Sequence, residues 1–176
     1  MRIIRGNWKS RRISPPSNLP VRPTTDIAKE ALFNVLENMF DFETLEVLDL
    51  FAGTGNISFE FASRGVQQIT AIEQNFRCVE FIRKTSAALN MQQLTCIRTD
   101  VFRFIKSVHQ QYHLIFADPP YDLPQLESLP DLIFQHNLLC TDGVFILEHP
   151  KTYDFNAHEH FFRHREYGKV NFTMFG

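Results

Sequence analysis

Apolar and polar positions change period repeatedly along this chain. Ala28, Ala31, Leu32, Val35, Leu36 and Met39 recur at three- and four-residue spacing, which predicts an amphipathic helix of about four turns. Pro23 followed by Thr24-Thr25-Asp26 supplies its start signal. Short apolar runs at 46–51, 68–72, 94–98, 112–117 and 144–148 read as buried strands. Helical spacing lies between them, at 56–63 with Gly65 as the stop, from the cap Asn75 to about Leu89, at 101–108 and at 126–136. Near the end the period falls to two. Residues 161–166 and 169–175 flank Tyr167-Gly168, and Val170, Phe172 and Met174 alternate, which predicts a terminal hairpin. Strands alternating with helices imply an α/β fold, a doubly wound and mostly parallel sheet of seven strands that ends in an antiparallel hairpin. Ser14-Pro-Pro-Ser17 and Pro20 break regular structure near the start, where Ile3-Ile4 suggests only a short strand.

Length changes this picture little: 176 residues suit one domain, and 44% hydrophobic residues with 18 phenylalanines suffice for a core. No run approaches the ~20 apolar residues of a membrane span, and Met1-Arg-Ile-Ile-Arg5 lacks the features of a signal peptide. Cys78, Cys96 and Cys140 are few and widely spaced, so reduced thiols, no metal and a cytoplasmic setting are expected. Charge adds more. The net −2 divides into +6 over residues 1–22 and −8 over the rest. A basic arm on an acidic body is the asymmetry expected of a polyanion contact. Lys9, Arg11, Arg12 and Arg22 are its candidate phosphate contacts, and residues 1–21 and 22–176 are read as arm and body. Trp8 fits either stacking on a base or packing onto the body.

The candidate chemistry sits where strands end. Asp118-Pro119-Pro120-Tyr121 follows the fourth strand, at the carboxyl edge where open α/β sheets bind ligands. Two prolines remove two N–H donors and fix two φ angles, leaving a stiff turn that presents acceptors beside an aromatic ring. A planar amino group needs acceptors for its two N–H bonds and a face to stack on. The first strand runs into Ala52-Gly53-Thr54-Gly55, a tight turn that lets backbone approach a ligand. Ser58 stands where a dinucleotide fingerprint needs its third glycine, which disfavours a nicotinamide or flavin enzyme. Asp49 lies inside the first strand, able to bond a cationic or amino group of a ligand or the local glycine turn. Glu73 ends the second strand, where an acid can take the hydroxyls of a ribose. Asp100 ends the third strand and suits either an adenine amino group or a helix cap.

Together, Leu48-Asp-Leu-Phe-Ala-Gly-Thr-Gly55, Glu73, Asp100 and Asp118-Pro-Pro-Tyr121 resemble the Rossmann-like class I S-adenosylmethionine-dependent methyltransferases that methylate amino groups. Met1-Arg-Ile-Ile, Trp8-Lys9 and Arg22-Pro-Thr-Thr-Asp26 leading into Ala31-Leu-Phe-Asn-Val-Leu36 narrow the likeness to the bacterial RsmD family of small-subunit (16S) ribosomal RNA guanine-N2 methyltransferases. The resemblance implies that Asp49, Phe51, Ala52, Gly53, Gly55, Glu73, Gln74, Asp100, Val101 and Asp118 line the cofactor, with Thr24 and Thr25 closing over it. It implies that Asp118, Pro119, Pro120 and Tyr121 hold the target amine, and that S-adenosylhomocysteine is the product. The implied partner is ribosomal RNA, within a small-subunit particle that carries ribosomal proteins, and the expected state is a monomer without membrane contact. Arg5 and Ser10 depart from the glycines expected in the arm. Methyltransferases of DNA adenine, tRNA or protein glutamine share the Asp-Pro-Pro-Tyr turn, and a non-catalytic RNA-binding protein on this fold is a further alternative. His149, His158, His160 and His164 cluster late in the chain without firm metal spacing.

Overall fold

The computed structural model describes residues 1–20 and 24–176. Arg22, the Pro23 start signal and the expected boundary at 21/22 lie outside the described residues. Seven strands form one sheet: β1 (Glu46–Leu50), β2 (Gln68–Glu73), β3 (Leu94–Arg98), β4 (Tyr112–Ala117), β5 (Leu139–His149), β6 (Phe161–Tyr167) and β7 (Val170–Phe175). Their order is β3-β2-β1-β4-β5-β7-β6. β1 to β5 run parallel, and β7 is antiparallel to both β5 and β6. The order reverses between β1 and β4, and a reversal of this kind opens a crevice at the carboxyl ends of the strands. Helices α1 (Asp26–Glu37), α2 (Asn56–Ser63) and α3 (Phe76–Ala88) cover one face. Helices α4 (Val101–Ser107) and α5 (Leu129–Gln135) cover the other. Among the described residues no helix is long and apolar enough to cross a membrane.

Most elements fall where the periodicity places them, and the departures have local causes. β1 stops at Leu50 because Phe51 turns into the left-handed region, at φ 59°. The helix expected over 126–136 is a 3-10 turn, Leu126–Ser128, followed by α5. β5 begins at Leu139, five residues before the expected Val144. Asp142-Gly143, which reads as a turn, lies within it at a shift of the β4–β5 register. Between Tyr112/Leu139 and Leu114/Val144 β5 advances five residues against two on β4, an irregularity that takes up the extra residues without ending the strand.

Residues 1–13 are part of the fold. Ile3 N donates to Arg11 O (3.0 Å), Ser10 N to Ile3 O (2.8 Å) and Ile13 N to Met1 O (3.0 Å), so the segment doubles back on itself. Ile3, Ile4 and Ile13 are buried, and Trp8 packs half-buried on the same apolar layer. A Cβ on Gly6 would lie 1.8 Å from Ser63 O, so only glycine lets the loop cross the end of α2. This cover explains why every residue of α2 is buried.

An ionic cluster fastens the loop. The Glu60 carboxylate, 0% exposed, accepts from Ile4 N (2.8 Å), Arg5 N (3.1 Å) and Arg64 Nε (2.8 Å). Lys29 Nζ lies 3.5 Å from Glu60 and donates to Arg2 O (2.6 Å) and Asn56 Oδ1 (2.8 Å). A buried ion pair is tolerated only when its remaining donors and acceptors are also met, as they are here.

Candidate active site

Strand register gathers the acids. Asp49 on β1 aligns with Phe116 on β4, and Phe116 aligns with Ile146 on β5. Phe116 and Ile146 face the α1–α3 layer. Side chains alternate along a strand, so two residues further on Asp118 and Glu148 project on that same face. Three acids from adjacent strands therefore meet at the switch point. Asp49 is 2% exposed, Glu148 is 4% exposed, and Asp118 is half-buried. Among the described residues no ion pair reaches any of them.

Each acid has a particular environment. Asp49 accepts a short hydrogen bond from Ser58 Oγ on α2. The residue that breaks the dinucleotide fingerprint is thus the one that satisfies the buried carboxylate, in place of the bond to the glycine turn. Burial still lifts the Asp49 pKa to about 7, against the pull of Ser58. Burial likewise lifts Glu148 to about 7. Asp118 is pushed well above the usual carboxylate range by desolvation and by the neighbouring Glu148 and Asp49.

Thr24, just before α1, joins two of them. Its hydroxyl donates to Glu148 Oε2 at 3.2 Å and also meets the Asp118 carboxyl. One hydroxyl proton cannot serve two carboxylates. The bond it makes goes to Glu148, which leaves the Asp118 carboxyl free to take a donor from a ligand. Tyr121 lies 44% exposed over the mouth, and its hydroxyl donates to Glu148 Oε1 at 3.2 Å. Pro119 is buried and Pro120 exposed. Thr24 is itself positioned from behind: Asn56 Nδ2 donates to Thr24 O (3.0 Å), and Lys29 holds Asn56. Thr25 caps α1, its Oγ1 accepting from Ala28 N at 3.3 Å.

The glycine turn lies beside the acids. Gly53 and Gly55 have φ of 55° and 79°. A Cβ on Gly55 would press within 2.9 Å of Ile82 and 3.0 Å of Phe59, so close packing as well as φ requires glycine there. Ala52 N donates to Ile72 O (3.0 Å), tying the turn to β2. Glu73 is buried and accepts from Gly53 N (2.8 Å) and Asn75 N (2.7 Å). Each oxygen of such a carboxylate keeps a second lone pair for a ligand. Asp100 is exposed and caps α4 through Arg103 N (2.9 Å), next to buried Val101. Phe51 and Phe102 meet edge to face at 6.3 Å, and exposed Gln74 accepts from Arg98 through its backbone carbonyl (3.4 Å).

The structure therefore brings together Thr24, Asp49, Gly53, Gly55, Glu73, Asp118 and Tyr121. It sets Lys9, Arg11 and Arg12 apart, exposed on the N-terminal loop. A cavity of about 500 Å³, lined by Met1, Arg2, Arg12, Thr24, Thr25 and Asp26, connects that loop to Thr24. Sequence reasoning missed Glu148, although an acid closing a fifth apolar strand repeats the pattern of Asp118. It also missed Lys29 and Glu60, which helical spacing alone does not separate from surface charges. The late histidines have structural partners: His149 Nε2 and His164 Nδ1 share Thr173 Oγ1 (2.8 and 3.0 Å), and His160 stacks on Phe134. Among the described residues no three His, Cys, Asp or Glu side chains are gathered as a metal site.

The donor set suits a cationic nucleoside. Buried carboxylates without a counter-cation favour a ligand that brings positive charge, and S-adenosylmethionine carries both a sulfonium and an ammonium. A dinucleotide pyrophosphate would instead face three acids. Comparisons with known proteins agree with this geometry. The family described as "Conserved hypothetical protein 95" matches residues 1–176. The ribosomal RNA small subunit methyltransferase D of Haemophilus influenzae is 31% identical over 155 residues, covering 86% of this chain and 79% of that protein. The protein of that name from Escherichia coli K12 is 28% identical over 148 residues, covering 84% and 74%. A solved structure titled as a candidate methylase of Haemophilus influenzae superposes with a TM-score of 0.80 at 27% identity, covering 99% of this chain and 96% of that one. The chain belongs to the family described as "Conserved hypothetical protein 95", the RsmD-type family that its motifs resemble.

Proposed function

We propose that this protein transfers a methyl group from S-adenosylmethionine to the exocyclic N2 amine of a guanine in small-subunit ribosomal RNA. The observation that carries the reading is the cation-free carboxylate cluster Asp49–Asp118–Glu148, set between the glycine turn and the Asp-Pro-Pro-Tyr turn. The names of the relatives supply the substrate class: both are called ribosomal RNA small subunit methyltransferases.

S-adenosylmethionine, when bound, supplies a methyl group made electrophilic by its sulfonium. Glu73 would hold the ribose hydroxyls, Asp49 and the Gly53–Gly55 turn the methionine end, and Phe51, Gln74, Asp100 and Val101 the adenine. Thr24 and Thr25 would close the site. The guanine amine is a weak nucleophile because its lone pair is delocalised into the ring. Asp118 and the Pro119 carbonyl accept its two N–H bonds, which turns the lone pair toward the methyl group. Positioning of this kind removes most of the entropic barrier. Asp118 also stabilises the positive charge that develops on nitrogen. A strong base is unnecessary, since the methylated ammonium is acidic and sheds its proton afterwards. Tyr121 gives the flipped base a face to stack on.

The exposed cations of residues 1–20, with Arg22, form the phosphate contact of this reading. The protein would act as a monomer in the cytoplasm, on ribosomal RNA within a small-subunit particle that carries ribosomal proteins. Incubating the protein with methyl-labelled cofactor and unmethylated small-subunit RNA, free or assembled, tests the activity. Label in the RNA is expected; its absence from both substrates would end the proposal.

A further inference from the structure

The target amine of guanine differs from other amino targets in its neighbour. On the guanine edge the N2 amine sits beside N1–H, a second donor. In adenine and cytosine the ring nitrogen beside the amine is an acceptor, and in a glutamine amide the neighbour is a carbonyl oxygen. A site that holds only the amine cannot tell these apart, and the Asp-Pro-Pro-Tyr turn is such a site.

Glu148 stands next to it. Adjacent parallel strands lie about 4.8 Å apart, and Ala117 on β4 aligns with Leu147 on β5, so Asp118 and Glu148 leave the sheet side by side. Glu148 has no cation, and its two bonds, from Thr24 and Tyr121 hydroxyls, are both 3.2 Å long. O–H···O bonds are usually near 2.7–2.8 Å, so this carboxylate is under-coordinated for a buried acid. Each oxygen has a second lone pair to offer. The Tyr121 hydroxyl bond fixes the stacking ring relative to the same carboxylate, which sets the plane in which a base edge meets it.

We propose that Glu148 is the specificity residue of this site, accepting guanine N1–H while Asp118 and the Pro119 carbonyl hold the N2 amine. The inference rests on the proposed methyl transfer and deepens it. An acceptor-lined edge admits guanine and places a carboxylate against the ring-nitrogen lone pair of adenine or cytosine, or against the carbonyl of an amide. Sites built to bond a donor reject analogues that lack it by about 10⁴–10⁵-fold.

2-Aminopurine separates this role from packing, because it keeps the N2 amine but has a lone pair, not a hydrogen, at N1. The small-subunit RNA fragment that contains the mapped nucleotide is synthesised with guanine or 2-aminopurine at that position. The wild-type protein is expected to methylate the guanine RNA at least ~10³-fold faster, in line with donor-reading sites. In Glu148→Gln, whose amide can donate to N1 or accept from it, the ratio should fall at least tenfold. A Glu148→Gln variant that slows both RNAs equally, with the ratio unchanged, would overturn the role. So would a wild-type protein that methylates the two RNAs within about tenfold, a measurement that needs no variant to fold. Methylation of neither RNA by the wild type would overturn the underlying activity as well.

Discussion

Lys9, Arg11 and Arg12 allow RNA contact to be separated from folding, because the N-terminal loop is docked by other groups. Its backbone bonds run through Ile3, Ser10, Arg11 and Ile13, its core contacts through Ile3, Ile4 and Ile13, and its ionic fastening through Glu60 and Lys29. The three cations are exposed, and among the described residues none of their side chains takes part in an ion pair. Replacing all three by glutamine should therefore cost at most about 1 kcal/mol, as surface changes do. For a chain of this size that lowers Tm by no more than ~2–4 °C. The RNA effect should be far larger. Each phosphate contact contributes about 0.7–0.9 to the slope of log affinity against log salt, so losing three flattens it by about 2–2.7 units. Between 50 and 200 mM salt the variant would then lose roughly 15–40-fold less affinity than the wild type does. Filter-binding titrations across that range, with a melting curve for each protein, measure both quantities. An unchanged slope with a lowered Tm would refute the assignment and leave the loop a purely structural cover for α2.

Asp118→Ala should lower methyl transfer by about 10²–10³-fold, as loss of one transition-state acceptor does, while S-adenosylhomocysteine still raises Tm in a thermal-shift assay. Affinity for S-adenosylmethionine should rise as pH increases toward 7 and level off above it, by up to tenfold per pH unit for each acid that must ionise. Asp49 and Glu148 both sit at about 7 in the free protein, and a cationic ligand favours their ionised forms. The free protein should show the opposite trend. Its folded acids hold protons that the unfolded chain releases near pH 4, so stability contributed below that pH is lost as pH climbs to 7; calorimetry and melting curves across pH 5–8 read the two effects. Lys29→Met should destabilise the fold by about 3 kcal/mol, the low end for breaking a buried pair because Arg64 and two backbone N–H groups stay on Glu60, seen as a fall in Tm of ~6–12 °C. Ser10→Gly should stabilise, since Ser10 holds φ 66° and an L-residue there costs about 1–2 kcal/mol; denaturant titration gives the sign.

The parallel sheet was legible because its strands are short apolar runs and its helices keep a clean apolar spacing. The departures arose where a local signal had two meanings. Asp142-Gly143 reads as a turn, yet the β4–β5 register absorbs it as an irregularity. The basic residues near the start read as an arm set off from the body, yet the apolar residues among them, Ile3, Ile4 and Ile13, fold the segment onto α2. The strand-end acids Asp49, Glu73, Asp100 and Asp118 were legible as one site, since a carboxylate closing an apolar strand needs a reason. The pairing of Asp118 with Glu148 was not, because it depends on strand order, which puts β4 beside β1 and brings β5 next to it. Glu148 escaped notice for that reason, and Lys29 because a buried lysine looks like a surface one until its partners on α2 and in the loop are in place.

The central claim is the identity of the methylated atom. Small-subunit RNA treated with the protein and methyl-labelled S-adenosylmethionine can be digested to nucleosides and resolved by mass spectrometry. The arrangement of Asp118, Glu148 and Tyr121 predicts label in N2-methylguanosine, at one nucleotide, and its loss in Asp118→Ala. Label in a methylated adenosine or cytidine, on a protein glutamine, or at a guanine atom other than N2 would contradict it.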